Sequence, residues 1–168
     1  MEKPLILISN DDGYDAKGIN DLVEMVRKYG DIFVVAPDGG RSGAALSITC
    51  KDPVMVKLIK KEEGLTIYSC NGTPCDCVKM AFEKLLPRKP DLVLSGINHG
   101  DNSAVNVHYS GTMGVAIEAC MKGVSAIGFS SCKRESHASF EAMRPYIEQV
   151  DERVIDKGLP KWTCLNAS

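Results

Sequence analysis

Leu5-Ile6-Leu7-Ile8-Ser9-Asn10-Asp11-Asp12-Gly13 is the stretch on which the reading of this chain turns. Four consecutive apolar residues suit a strand covered on both faces, which belongs in a parallel sheet. Two adjacent carboxylates follow its end. Neighbouring side chains on a strand point to opposite faces, so gathering both acids at one place requires a turn, and Gly13 permits it. Two like charges at the mouth of an apolar sheet are costly unless a cation neutralises them. Oxygen-only donors favour a hard divalent ion such as magnesium, manganese or calcium over zinc. Taken alone, an Asp-Gly turn after a strand is an ordinary loop, and the remaining sequence has to decide between the two readings.

Outward from this strand, strands and helices alternate. Asp15 is expected to cap a helix whose apolar positions are Ile19, Leu22, Val23 and Val26, with Gly30 as its stop. Ile32–Ala36 reads as a buried strand ending in the glycine-rich loop Pro37-Asp38-Gly39-Gly40-Arg41-Ser42-Gly43. Leu46–Ser69 reads as short strands, with Val54, Val56 and Leu58 alternating with polar neighbours and Thr66–Tyr68 following a Gly64 turn. Thr73-Pro74-Cys75-Asp76 is a helix start, and the helix is expected to reach about Leu86, burying Val78, Ala81, Phe82, Leu85 and Leu86. Pro87 and Pro90 stop it before the strand Leu92–Leu94, after which Ser95-Gly96-Ile97-Asn98 opens a long polar loop. Ser110-Gly111-Thr112 leads into a helix through Val115, Ala119 and Met121, closed by Gly123, and Ala126–Phe129 is a further buried strand. The last helix is expected to start near Arg144 or to kink at Pro145, and to end at Gly158. Trp162–Asn166 reads as an exposed edge strand. The pattern predicts an α/β protein, a Rossmann-like three-layer αβα fold with a mostly parallel sheet, formed by residues 1–168 as a single domain.

Composition removes several functions. The 168 residues carry a net charge of −2 with both signs intermixed, which gives no footprint for nucleic acid or an anionic membrane. Met1-Glu2-Lys3-Pro4 leads into a strand where a signal peptide would have an apolar core, and no apolar run approaches a membrane span. Seven scattered cysteines (50, 70, 75, 77, 120, 132 and 164) suit reduced thiols in the cytoplasm. Cys75 and Cys77 read as small buried residues, and no cysteine has a readable histidine partner for catalysis.

In such sheets ligands bind beyond the carboxyl ends of the strands, here the loops 10–13, 37–43 and 96–102. Those loops offer Asp11 and Asp12, the Ser42 hydroxyl and the Asn98 amide oxygen, a set that leaves a magnesium-type ion free positions for water or a phosphate oxygen. Taken singly, Ser42 and Asn98 are more readily ordinary loop residues than ligands. Ser110-Gly111-Thr112 at a helix N-terminus suits a phosphate, or simply caps the helix.

The sequence resembles the survival protein E (SurE) nucleotidases over Leu5 to about Ser130. The shared motifs, in order, are Ser9-Asn10-Asp11-Asp12-Gly13, Ala36-Pro37-Asp38 with Arg41-Ser42-Gly43, Gly72-Thr73-Pro74 with Asp76-Cys77-Val78, Ser95-Gly96-Ile97-Asn98 and Tyr109-Ser110-Gly111-Thr112. The resemblance implies a metal-dependent phosphatase acting on nucleoside 5′- and 3′-monophosphates, with one divalent ion, magnesium or manganese, on Asp11, Asp12, Ser42 and Asn98. It implies a helix-start role for Cys77 and a homodimeric or tetrameric assembly. Family members continue past the Leu165-Asn166 strand into a hairpin and C-terminal arms, which the 168 residues are expected to lack. Some members also carry an acid where Asn106 stands, and an amide cannot transfer a proton in its place.

On this reading Asp11 or Asp12 orients the attacking water. Asn10, Asn98, Ser110, Gly111 and Thr112 hold phosphate oxygens, and Gly43 and Gly96 let the backbone approach. His99 and His108 are candidate proton donors, and His137 is set aside. The alternative is a non-catalytic nucleotide-binding or phosphoacceptor module, but the later strands end in Asn98 and Ser130, not in an acceptor aspartate.

Overall fold

Leu5–Ser9 (β1) is buried along its whole length and stands at the centre of a seven-stranded sheet. The structure, a computed structural model, describes residues 3–132 and 139–168. The further elements are α1 (Lys17–Val26), β2 (Asp31–Pro37), β3 (Val56–Glu62), β4 (Leu65–Cys70), α2 (Pro74–Met80), β5 (Leu92–His99), α3 (Gly111–Met121), β6 (Ala126–Ser131), α4 (Arg144–Lys157) and β7 (Cys164–Ala167). The strands lie in the order β3-β4-β2-β1-β5-β6-β7, all parallel to their neighbours except β3 against β4. The side-chain alternation of β1 sorts the core into two layers. Ile6 and Ile8 pack with Ile19 and Leu22 of α1 and Ile147 and Val154 of α4, while Leu7 packs with Cys77 and Val78 of α2 and Val115 and Ala119 of α3. This is the three-layer, Rossmann-like arrangement expected. Strand order reverses at β1, with β2 on one side and β5 on the other, so the crevice at its carboxyl end is the place for a ligand.

Several local expectations are corrected. Ala16, not Asp15, is the N-cap of α1, and no side chain caps that end. The helix stops at Val26, four residues before Gly30. Gly30 serves packing instead, because a Cβ there would stand 2.1 Å from the Pro4 carbonyl oxygen. The helix from Pro74 is regular only to Met80. Ala81–Leu85 forms a π-helical turn closed by Leu86 N–H to the Ala81 carbonyl at 2.9 Å, which leaves Phe82, Leu85 and Leu86 half-buried. β5 does not end at Leu94: it bends at Gly96 and resumes pairing with β6 through Asn98 and His99. Gly96 supplies that bend with φ +123°, and a Cβ on it would meet the Phe129 carbonyl oxygen at 2.4 Å. Val54 precedes β3, and Trp162 lies in a turn before β7. α4 starts at Arg144 with Pro145 in its first turn, as expected. Among the described residues no helix is long and apolar enough to cross a membrane.

Inside α4, Asp151 is fully buried and neither of its carboxylate oxygens has a hydrogen-bond partner among the described residues. Burial, with a smaller contribution from nearby Glu148, pushes its carboxyl up to about 8.

Candidate active site

Immediately after β1 the chain turns on itself. The Asn10 side chain closes the turn from both sides, donating Nδ2–H to the Gly13 carbonyl at 2.8 Å and accepting the Gly13 N–H at 3.1 Å. Asn10, for which the sequence suggested a phosphate contact, is buried and braces the acidic turn. Gly13 has φ +116°, and Tyr14 N–H then bonds the Pro37 carbonyl at 2.9 Å, tying the turn to the end of β2.

Asp11 is 5% exposed and held from three directions. Its carbonyl accepts Arg41 N–H at 2.7 Å, which brings the loop carrying Ser42 and Gly43 to the turn. Its carboxylate accepts the Thr112 hydroxyl at 2.6 Å. Gly111 fits directly against it, since a Cβ on Gly111 would stand 2.6 Å from the Asp11 Cβ. Burial pushes the Asp11 carboxyl up. The Thr112 hydroxyl, its own backbone N–H and that of Gly111 pull it back. The N-terminus of α3 therefore already faces an anion, the Asp11 carboxylate. Ser110 caps that helix by accepting Met113 N–H at 3.0 Å.

Asp12 is half-buried. Burial raises its carboxyl, repulsion by Asp11 adds to this, and the nearby His99 opposes it. His99 stands at the end of β5 with its ring 4.6 Å from that of Phe140. His108 is exposed on the 3-10 turn Ala104–His108, and no contact joins it to the acids. His137 lies outside the described residues.

Asn98, one residue before His99, donates Nδ2–H to the Gly100 carbonyl at 3.2 Å and to Asn102 Oδ1 at 3.3 Å. Both neighbours are acceptors, so the amide nitrogen must face them and the carboxamide oxygen is left for another partner. Asn102, which the sequence reading did not single out, holds Asn98 in place. It is 4% exposed, orients Asn98, and its own Nδ2 is buried without an acceptor. The polar run Asn98-x-Gly100-x-Asn102 was the available signal.

The structure thus gathers the acidic turn, the Arg41-Ser42-Gly43 loop, the end of β5 and the start of α3 at the carboxyl end of the central strands. Ser42 is exposed and Gly43 has φ +78° with open space around it. Among the described residues no group of three or more His, Cys, Asp or Glu side chains gathers. The donors present are two carboxylates with neutral oxygens from Asn98 and Ser42, a set that fits a hard divalent cation.

The family described as "Survival protein SurE" matches residues 6–168. Proteins named 5′-nucleotidase SurE from Phocaeicola vulgatus and Bacteroides thetaiotaomicron are each 56% identical over 99% of the chain, which spans 65% and 64% of their lengths. The crystal structure of the SurE protein from Aquifex aeolicus superposes with a TM-score of 0.88 at 39% identity, covering 97% of this chain and 64% of that one. With five motifs in order and a matching fold around them, the chain belongs to the SurE family.

Proposed function

We propose that this chain carries the catalytic centre of a phosphomonoesterase that hydrolyses nucleoside 5′-monophosphates, and 3′-monophosphates as well, to nucleoside and phosphate. The observation that carries the reading is a pair of mutually repelling, partly desolvated carboxylates within electrostatic reach of His99, whose chain neighbour Asn98 has its amide nitrogen committed to Gly100 and Asn102. Asp11, Asp12, Ser42 Oγ and Asn98 Oδ1 would hold one divalent ion, magnesium or manganese. When bound, that ion offsets the two carboxylate charges and the charge that develops on the phosphoryl oxygens.

The chain's own groups do the rest. Thr112 and Gly111 fix Asp11, and Asn10 fixes the turn between them. Asp12, the more open acid, accepts a hydrogen bond from the attacking water and aims it at phosphorus. The Ser110 hydroxyl, whose oxygen accepts Met113 N–H and whose proton is free to donate, and the open backbone at Gly43 receive phosphoryl oxygens. Water adds to phosphorus and passes a proton to Asp12 as the bond to the ribose oxygen breaks, the departing oxygen takes a proton from His99, and the proton on Asp12 returns to His99 through solvent. The seven unpaired cysteines support a reducing cytoplasm as the setting. Apolar side chains exposed on or beside the edge strand β3, Met55, Leu58 and Ile59, support assembly into homodimers or tetramers.

The test is phosphate release from a panel of 5′- and 3′-nucleotides by the full-length protein, with magnesium or manganese and with a chelator. Activity is expected to fall by about 10²-fold or more in the chelator and to return when metal is restored. Turnover undiminished by chelation, or phosphate retained covalently on the protein, would refute the reading. A second expectation concerns Thr112→Val, which keeps the shape and removes the donor to Asp11. Manganese affinity in a direct titration should drop about 10-fold, the usual effect of losing a ligand's orienting partner.

A further inference from the structure

Asp76 belongs to neither the cation donors nor the phosphate contacts, yet it is 5% exposed and heavily engaged. Its Oδ2 accepts the Thr49 hydroxyl at 2.6 Å, Thr49 N–H at 3.1 Å and Thr73 N–H at 2.9 Å, and its Oδ1 lies 3.2 Å from the Thr49 nitrogen. The bond to Thr73 completes the capping box of α2, which any acid at that position of an isolated helix would also do. The bonds to Thr49 span 27 residues and serve no helix end. They tie down the segment that follows Ser42.

The same segment is held at two further points. Thr73 Oγ1 donates to the Ser47 carbonyl at 2.7 Å. The Ala45 carbonyl lies against α3 where Gly114 lacks a side chain, and a Cβ on Gly114 would stand 2.3 Å from that oxygen. At the near end, Arg41 N–H is bonded to the Asp11 carbonyl. Ser42 is exposed and has no hydrogen bond among the described residues, so the anchors on either side of it decide where its hydroxyl stands.

We propose that Asp76 is a positioning residue for the candidate cation site, fixing the 42–49 loop through Thr49 so that the Ser42 hydroxyl is held beside the Asp11–Asp12 pair. The inference rests on the cation reading above. Among the described residues the side-chain bonds of Asp76 go to Thr49 and Thr73 and none goes to Asp11, Asp12 or Asn98, so loss of the clamp removes one donor and leaves the others in place. Cation binding weakens, and turnover recovers when the cation is in excess.

The experiment is a manganese titration by electron paramagnetic resonance on the full-length protein, with phosphate release followed across manganese concentration. Asp76→Asn is expected to weaken manganese binding by about 10-fold, within the range usual for groups that orient metal ligands. The manganese needed for half-maximal turnover rises by the same factor, while kcat at saturating manganese stays within about 2-fold. Thr49→Val, which removes only the hydroxyl donor, shows the same split, and Thr49→Ser restores wild-type affinity. If Asp76→Asn fails to fold, the two Thr49 variants decide the matter. Unchanged manganese affinity in Asp76→Asn and Thr49→Val, with or without a lowered Tm, overturns the inference and leaves the cation reading standing. A wild-type protein that binds no manganese overturns both.

Discussion

Asp12→Asn is expected to lower phosphate release from nucleoside monophosphates by about 10³-fold, the scale of losing a charged group that supports phosphoryl transfer. The substitution keeps the size of the side chain and removes one charge. Asp12 makes no hydrogen bond within the fold among the described residues, and its nearest electrostatic neighbour raises its energy, because Asp11 repels it. The variant should therefore lose activity without losing stability, and its Tm in chelator should match or exceed that of the wild type. Asp11→Asn makes a poorer test of the same point, since it also disturbs the bonds from Thr112 and Gly111. Steady-state assays beside a thermal melt check the pair of outcomes, and retained turnover in Asp12→Asn would remove the acidic turn from the mechanism.

The second large effect lies away from the site, at Asp151. Its carboxyl titrates near 3.8 in an unfolded chain and is pushed up to about 8 in the fold. Below pH 4 both states hold the proton and the group is neutral in the balance. Between pH 4 and 8 the unfolded chain ionises first while the folded chain keeps its proton, so this group lowers stability progressively as pH rises. Above pH 8 the penalty is complete, and at about 1.4 kcal/mol per unit it amounts to several kcal/mol. Asp151→Asn removes the charge and leaves a buried amide that costs roughly 1–3 kcal/mol without partners. The variant should melt about 5 °C above the wild type at pH 8, an advantage that shrinks toward pH 4. An advantage that did not change with pH would show that the Asp151 charge is not its source.

What the sequence could reveal depended on whether a residue's work is local. The fold was legible because apolar runs such as Leu5–Ile8 and the helical spacing of Ile19, Leu22 and Val26 report burial directly. Asp11 and Asp12 stood out as candidates because two adjacent acids after an apolar strand are costly without a neutralising partner, and their burial and mutual repulsion in the fold agree with that cost. Local patterns failed where a distant element decided the outcome. β5 continues past Leu94 because β6 pairs with its far end, and Gly96 is glycine because the Phe129 carbonyl occupies the space. The roles of Asn10 and Thr112 were hidden for the same reason: Asn10 turned inward to Gly13, and Thr112 reached across 101 residues to Asp11. Asp76 could be read as a helix cap, and its bonds to Thr49 could not be seen until the chain was folded.

The first turn of α1 leans on the bend in β5, where a Cβ on Gly18 would stand only 2.0 Å from the Ile97 carbonyl oxygen. That oxygen belongs to rigid backbone, so no rotamer change relieves the collision. Any larger residue at position 18 must push the helix outward or the strand aside, and the strand leads straight into Asn98. The helix follows the acidic turn and the strand leads into Asn98, so this one contact keeps the two segments in step. Directed evolution of substrate preference in this scaffold can vary its surface loops while leaving position 18 untouched.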